Sequence, residues 1–182
     1  MSLFLLELPL GTAGREEAQE LLERVADAAE GAGGEVLEAA VTGDHTRAFV
    51  VISAPERAVA HAAGRVSGLP FTGPDQVRLV GASESDVRAA RGTGARYLVE
   101  WDFPAELTME TYLERKREKS PLYAEVPEVT FLRTYVREDM SKCLCLYDAG
   151  CEADVRRARD VVQTPISRLH DLGGAPAPSN AR

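Results

Sequence analysis

Residues 35–70 read EVLEAAVTGDHTRAFVVISAPERAVAHAAGRVSGLP, and residues 130–165 read TFLRTYVREDMSKCLCLYDAGCEADVRRARDVVQTP. The two stretches align without a gap at a constant offset of roughly 95 residues. Identical pairs are Leu37/Leu132, Val41/Val136, Asp44/Asp139, Ala54/Ala149, Ala58/Ala153, Ala63/Ala158, Val66/Val161 and Pro70/Pro165. A fixed internal period marks a structural unit written twice. Each copy carries the pattern strand, turn, strand, helix. Arg47–Ile52 alternates too little to expose one face, and Gly43-Asp44-His45 is a hairpin turn. Pro55–Ser67 has helical composition and ends at Gly68 and Pro70.

Outward from this core, Leu3–Leu8 reads as a strand and Arg15–Glu30 as a helix. Ala18, Leu21, Leu22, Val25 and Ala28 form its apolar stripe, and Gly31, Gly33 and Gly34 stop it. Val36–Thr42 is the next strand, and Val77–Val80 closes the first copy. In the second, Tyr97–Phe103, Thr108–Ser120, Val129–Val136, Lys142–Tyr147, Glu152–Val162 and Ile166–Leu172 repeat the order. The order β-α-β-β-α-β is the ferredoxin-like unit. Strands apolar on both faces need cover on both sides. The expected fold is α+β: two tandem ferredoxin-like repeats forming a single-chain, pseudo-dimeric α+β barrel. The expected organisation is repeat 1 over 1–81, a linker over 82–94, repeat 2 over 95–172 and a disordered tail over 173–182.

The chain has 182 residues and a net charge of −8, with a pI near 5.0. That balance argues against nucleic acid or an anionic membrane as partner, since both select basic surfaces. The N-terminus lacks the charged and apolar regions of a signal peptide, and no apolar run approaches the span of a bilayer. Three cysteines, Cys143, Cys145 and Cys151, all fall in the second copy. An odd count fits reduced thiols and a cytoplasmic location.

The polar chemistry also concentrates there. Cys143, Cys145 and Tyr147 share one strand face, because side chains alternate with period two. Phe131, Arg133 and Tyr135 share a face of the neighbouring strand, and if the two faces coincide they line one pocket. The matching positions of the first copy are Ala48, Val50, Ile52, Glu38 and Ala40. Glu100 and Glu7 occupy equivalent places in the first strand of each copy, each among apolar residues. Either is a candidate buried carboxylate for proton transfer or for a cation. Each of these residues also has a purely structural reading: cysteine as a small core hydrophobe, tyrosine anchored on a backbone group, glutamate paired with arginine. His45, His61 and His170 lie in no metal-ligand spacing.

The second copy resembles a known family. The resemblance rests on Arg96–Pro104, Thr134-Tyr135-Val136, Asp139, Lys142, Cys145-Leu146-Tyr147-Asp148-Ala149 and Pro165–Arg168. It is similar to the small bacterial nickel-binding proteins, long classed as a domain of unknown function, over residues 95–172. The first copy keeps Glu7, Asp44, Ala54 and Pro70 but has Val50 and Ile52 in place of Cys145 and Tyr147. The resemblance implies a dimeric ferredoxin-like barrel and nickel or another divalent metal as cofactor. The metal candidates among the residues singled out above are Glu100 and Cys145. The expected function is binding of such a metal, or of a small ligand, in a pocket of the second copy. Tyr135, Cys145, Tyr147, Arg133 and Trp101 are the ligand-binding candidates. The alternative is a cofactor-free enzyme of cyclase or monooxygenase type. There Glu100 or Tyr147 would move a proton and Arg133 would steady an enolate. A ligand-free structural or regulatory module is a third class. The expected partners are a small molecule or metal ion and a homo-oligomeric copy of the barrel.

Overall fold

The computed structural model describes residues 1–11, 14–90 and 94–173. The first unit contains β1 (Ser2–Pro9), α1 (Arg15–Gly31), β2 (Glu35–Val41), β3 (Arg47–Ala54), α2 (Arg57–Arg65) and β4 (Thr72–Val80). A short helix follows, α3 (Glu84–Ala89). The second unit contains β5 (Tyr97–Asp102), α4 (Met109–Lys119), β6 (Val129–Arg137), β7 (Lys142–Ala149), α5 (Glu152–Val161) and β8 (Arg168–Asp171). A 3-10 segment, Ser120–Glu125, extends α4 and has no counterpart in the sequence reading. The chain thus forms the α+β architecture expected, two βαββαβ units sharing one antiparallel sheet.

The strand order is β2-β3-β1-β4-β6-β7-β5-β8, so each unit contributes the same sequence of strands. The units join where β4 pairs with β6, from Val77↔Arg137 to Val80↔Thr134. The opposite seam is closed by Gly43 N–H donating to the Asp171 carbonyl at 2.7 Å. Its counterpart at the first seam is Glu138 N–H to the Gln76 carbonyl, 2.9 Å. Gly43 corresponds to Glu138 and Gln76 to Asp171 at the same offset of roughly 95, so the two bonds are related by an approximate twofold.

The sheet has an apolar layer on each face because its strands carry few polar residues. The barrel interior packs Leu3, Leu5, Phe49, Val51, Leu98, Tyr135, Leu144 and Leu146. Outside, α1 and α2 cover Phe4, Leu6, Leu8, Val50 and Ile52, while α4 and α5 cover Val99, Trp101, Cys143, Cys145 and Tyr147. Each fully buried leucine or phenylalanine contributes about 1.5–3 kcal/mol by leaving water.

Between the units lies α3, whose N-cap Ser83 exchanges bonds with Asp86 and whose Val87 packs into the barrel interior. Gly173 donates to Asp171 at 2.7 Å, and the rest of the expected tail, 174–182, lies outside the described residues. One difference from the sequence reading, with a local cause, concerns the faces of β6. The ladder runs Phe131↔Tyr147 and then Arg133↔Leu146, leaving Leu132 as an extra residue. This bulge resets the alternation. Phe131 stays with Tyr147 on the helix side, whereas Arg133 and Tyr135 turn into the barrel. The faces of Cys145 and Arg133 therefore do not coincide. The first unit repeats the device: Val36↔Ile52 is followed by Glu38↔Val51, with Leu37 extra.

Candidate functional site

The outer face of the second unit presents Trp101 from β5, Thr134 from β6, and Cys143, Cys145 and Tyr147 from β7. On α4, Tyr112, Arg115, Lys116 and Lys119 fall at intervals of three or four and share the inward helix face. On α5, Val155, Ala158, Arg159 and Val162 do the same. Between them lies a cleft of about 30 Å³, lined by Trp101, Tyr112, Arg115, Lys116, Lys119, Ser120, Tyr123, Cys145, Arg159, Val162 and Thr164.

The cleft is cationic. Arg159 is 2% exposed and donates Nη1 to Tyr147 Oη at 3.2 Å and to Cys145 Sγ at 3.5 Å. Its Nη2 donates to the Pro165 carbonyl at 2.5 Å. Arg115 donates to the Gln163 carbonyl, with its guanidinium 6.0 Å from the Trp101 ring centre. Lys116 Nζ sits 3.8 Å from the centre of the Phe131 ring, and burial pulls its pKa below the ordinary lysine value. Among the described residues, no carboxylate pairs with Arg115, Lys116 or Arg159, and Nε of both arginines is buried without a partner. Buried polar groups ordinarily find partners, so two unmatched guanidinium donors in one cleft are an exception that needs a reason.

Two donors converge on Cys145 Sγ, Thr134 Oγ1 at 3.0 Å and Arg159 Nη1 at 3.5 Å, and Cys143 Sγ shares a hydrogen bond with it at 3.7 Å. The bond from Cys143, then the charges of Arg159 and Lys116 and the bond from Thr134, hold Cys145 well below the ordinary thiol value against burial. Burial raises Cys143, which remains the neutral donor. Tyr123, brought in by the 3-10 segment, shares a hydrogen bond with Tyr147 Oη at 2.8 Å and stacks on Phe131. Burial pushes its phenol up to about 12.

The first unit has apolar side chains in the equivalent space. Gly64 stands where the second unit has Arg159, and the Phe71 ring lies 3.0 Å from where its Cβ would be. Leu21, Leu22, Val50 and Ile52 complete that packing.

The other expected site residues lie inside the barrel, in two ion-pair clusters. In one, Glu100 is fully buried and accepts from Lys142 Nζ at 2.7 Å, Arg168 Nε at 2.9 Å and Nη2 at 3.0 Å, and bonds His170 Nε2 at 2.7 Å. Arg47 Nη1 stands 3.6 Å away, and Lys142 also reaches Glu7 at 2.5 Å. Burial alone would raise the Glu100 pKa, but His170, Arg168 and Lys142 hold it well below the carboxylate range. In the other, Arg133 donates Nε to Glu38 at 2.8 Å, and Tyr135 Oη donates to the same carboxylate at 2.5 Å. Glu38 and Arg133 are equivalent positions of the two units, so this pair spans the approximate twofold axis.

Cys145 and Trp101 thus line the cleft and Tyr147 lies behind it, bonded to Arg159 and Tyr123, while Glu100, Arg133 and Tyr135 do not reach it. Arg115, Lys116, Tyr123 and Arg159 complete the cleft and were not among the expected site residues. Lys116 and Arg115 are hidden in the mixed charge run Glu114–Lys119, which reads as a solvated helix face.

Residues 97–172 match the family described as nickel responsive protein SCO4226-like. No curated protein gives a significant match. A chlorite dismutase-like protein of known crystal structure superposes at TM-score 0.56 and 14% identity, covering 97% of this chain and 96% of its own. A monooxygenase-like protein from Fusobacterium nucleatum subsp. nucleatum superposes at TM-score 0.44 and 9% identity, covering 95% of each chain. The first likeness extends the barrel fold over the whole chain, and the nickel-responsive match concerns the second unit.

The donors present do not assemble a site for a divalent metal. Among the described residues no group of three or more His, Cys, Asp and Glu is arranged to hold one. Glu100 and Cys145 project from opposite faces of the sheet, because Val99 rather than Glu100 pairs with Cys145. The thiol pair Cys143/Cys145 is flanked by Arg159 and Lys116, whose charges oppose a cation. The donor set does not fit.

Proposed function

We propose that the second unit binds a small anion, or a small molecule through its anionic group, in the cleft beneath α4. One observation carries this reading. In a chain of net charge −8, Arg115, Lys116 and Arg159 converge on a cleft that, among the described residues, has no carboxylate in its lining. Even with Cys145 ionised, three cations face one thiolate. Burying charge without a counter-charge is costly, and an arriving anion removes that cost. Aromatic walls at Trp101, Tyr112 and Tyr123 exclude water and strengthen the attraction.

The test is thermal unfolding in low-chloride buffer with inorganic phosphate, sulfate or benzoate. At about 100 times its dissociation constant, a bound anion adds about 2.7 kcal/mol of stability. Lys116→Met keeps the stem packed on Phe131 and removes the charge. The expected outcome is a rise in Tm for the wild type that Lys116→Met abolishes. No rise with any of the three anions refutes the proposal.

The match of residues 97–172 to the nickel-responsive family favours a second reading, nickel bound by the thiol pair. Cationic neighbours and the missing third donor weigh against it. Equilibrium dialysis against nickel checks it directly: retention that Cys145→Ala removes would establish the metal. The acid–base enzyme reading draws no support from the geometry, because Glu100 and Arg133 are engaged in ion pairs remote from Tyr147.

A further inference from the structure

We infer that Cys145 is an oxidisable thiolate that reduces hydrogen peroxide or a small hydroperoxide entering the cleft. This goes beyond anion binding and rests on the surroundings of one sulfur atom. Cys145 Sγ accepts from the Thr134 hydroxyl at 3.0 Å and the Arg159 guanidinium at 3.5 Å, and shares an S–H···S bond with Cys143 at 3.7 Å. A neutral thiol is a weak acceptor. Two inward-directed donors, one of them cationic, match a sulfur anion.

Two further observations give that anion a substrate. Cys145 lines the cleft, and about 30 Å³ holds about two water-sized molecules, the size of a peroxide. Arg159 and Lys116 line the same cleft and set positive charge beside the sulfur and its guest. Buried cysteines in apolar surroundings are inert, whereas thiolates in electropositive pockets react.

The Cys145 thiolate attacks one peroxide oxygen, an S–O bond forms and the O–O bond breaks. Sulfur gives up two electrons, which leave on hydroxide, and hydroxide takes a proton from solvent and departs as water. The peroxide is the oxidant, and the product is a sulfenic acid. Arg159 and Lys116 offset the charge that builds on the leaving oxygen. The Cys143 sulfur stands 3.7 Å away, and the sulfenic acid can condense with that thiol to a disulfide, releasing water; either product removes the alkylatable Cys145 thiol.

Cys151 is an exposed thiol in the same protein and serves as the internal reference. Trypsin releases residues 143–156 as one peptide carrying all three thiols. The full chain is exposed to hydrogen peroxide at pH 7, quenched with catalase, alkylated in denaturant, and read by fragment-ion mass spectrometry. An ordinary thiol is only a few per cent ionised at pH 7, so Cys145 is expected to lose alkylatable thiol about tenfold faster than Cys151. Thr134→Val should slow Cys145 several-fold and leave Cys151 unchanged. Cys143→Ala removes a different donor and is expected to slow Cys145 in the same way, should Thr134→Val not fold. Oxidation of Cys145 no faster than Cys151, or a rate untouched by the folded donor variant, overturns the inference.

Discussion

Replacing Glu100 by glutamine should destabilise the barrel more than a change of one atom suggests. The carboxylate is fully buried and serves Lys142, Arg168 and His170, with Arg47 at 3.6 Å. Glutamine keeps the shape, removes the charge and places an amide N–H₂ among donors. Removing one partner from a buried ion pair costs about 3–5 kcal/mol, because the remaining charges stay desolvated. Here the lower end applies. The Arg168 side chain is 40% exposed and regains water, whereas Lys142, 12% exposed, does not. The expected loss is about 3 kcal/mol, or roughly 6–12 °C in Tm for a chain of this size. Urea unfolding should show a lower midpoint at unchanged slope. The effect should depend on pH with a defined sign. The folded-state pKa of Glu100 lies below its unfolded value, so its contribution is complete above about pH 5 and is lost as pH falls through the acid range. Wild type and Glu100→Gln should therefore converge in acid. A loss below about 1 kcal/mol at pH 7, or a gap that widens in acid, would refute the reasoning.

Two other sites probe the frame. Glu38→Leu and Arg133→Leu should each cost about 3 kcal/mol, while the double variant should recover most of that loss, a coupling measurable by urea unfolding of the full cycle. Gly73 has φ of 100°, and an added Cβ would collide with the Leu5 carbonyl; Gly73→Ala should lower stability by more than about 1 kcal/mol in the same assay.

The duplicated stretch made the fold legible. The offset of roughly 95 residues predicts both the element order and the two seams, and the doubly apolar strands predict a closed sheet. The bulge was hidden, although its marker was present: Leu37 and Leu132 are identical and both are the extra residue. Nothing in a hydrophobic pattern separates a bulged leucine from a paired one, so unbroken alternation puts Phe131, Arg133 and Tyr135 on one face, and the bulge parts Phe131 from the other two. The cysteine and tyrosine side of the site was legible because β7 runs without interruption. Its cations were not, because Lys116 and Arg115 look like surface charge until the 3-10 segment folds Tyr123 over them. Arg159 is likewise one of three arginines on α5, and only packing selects it. Glu100 was correctly read as buried, but its partners Arg168 and His170 arrive from a strand about 70 residues away.

The central claim is that the second unit's cleft receives an anion. Its most direct test is an anomalous difference map from a crystal of the full chain soaked in selenate. The account predicts a selenium peak at the cleft, within hydrogen-bonding reach of Arg115, Lys116 and Arg159, and its loss in Lys116→Met. Selenium found only on the outer surface, with the cleft empty, would contradict it.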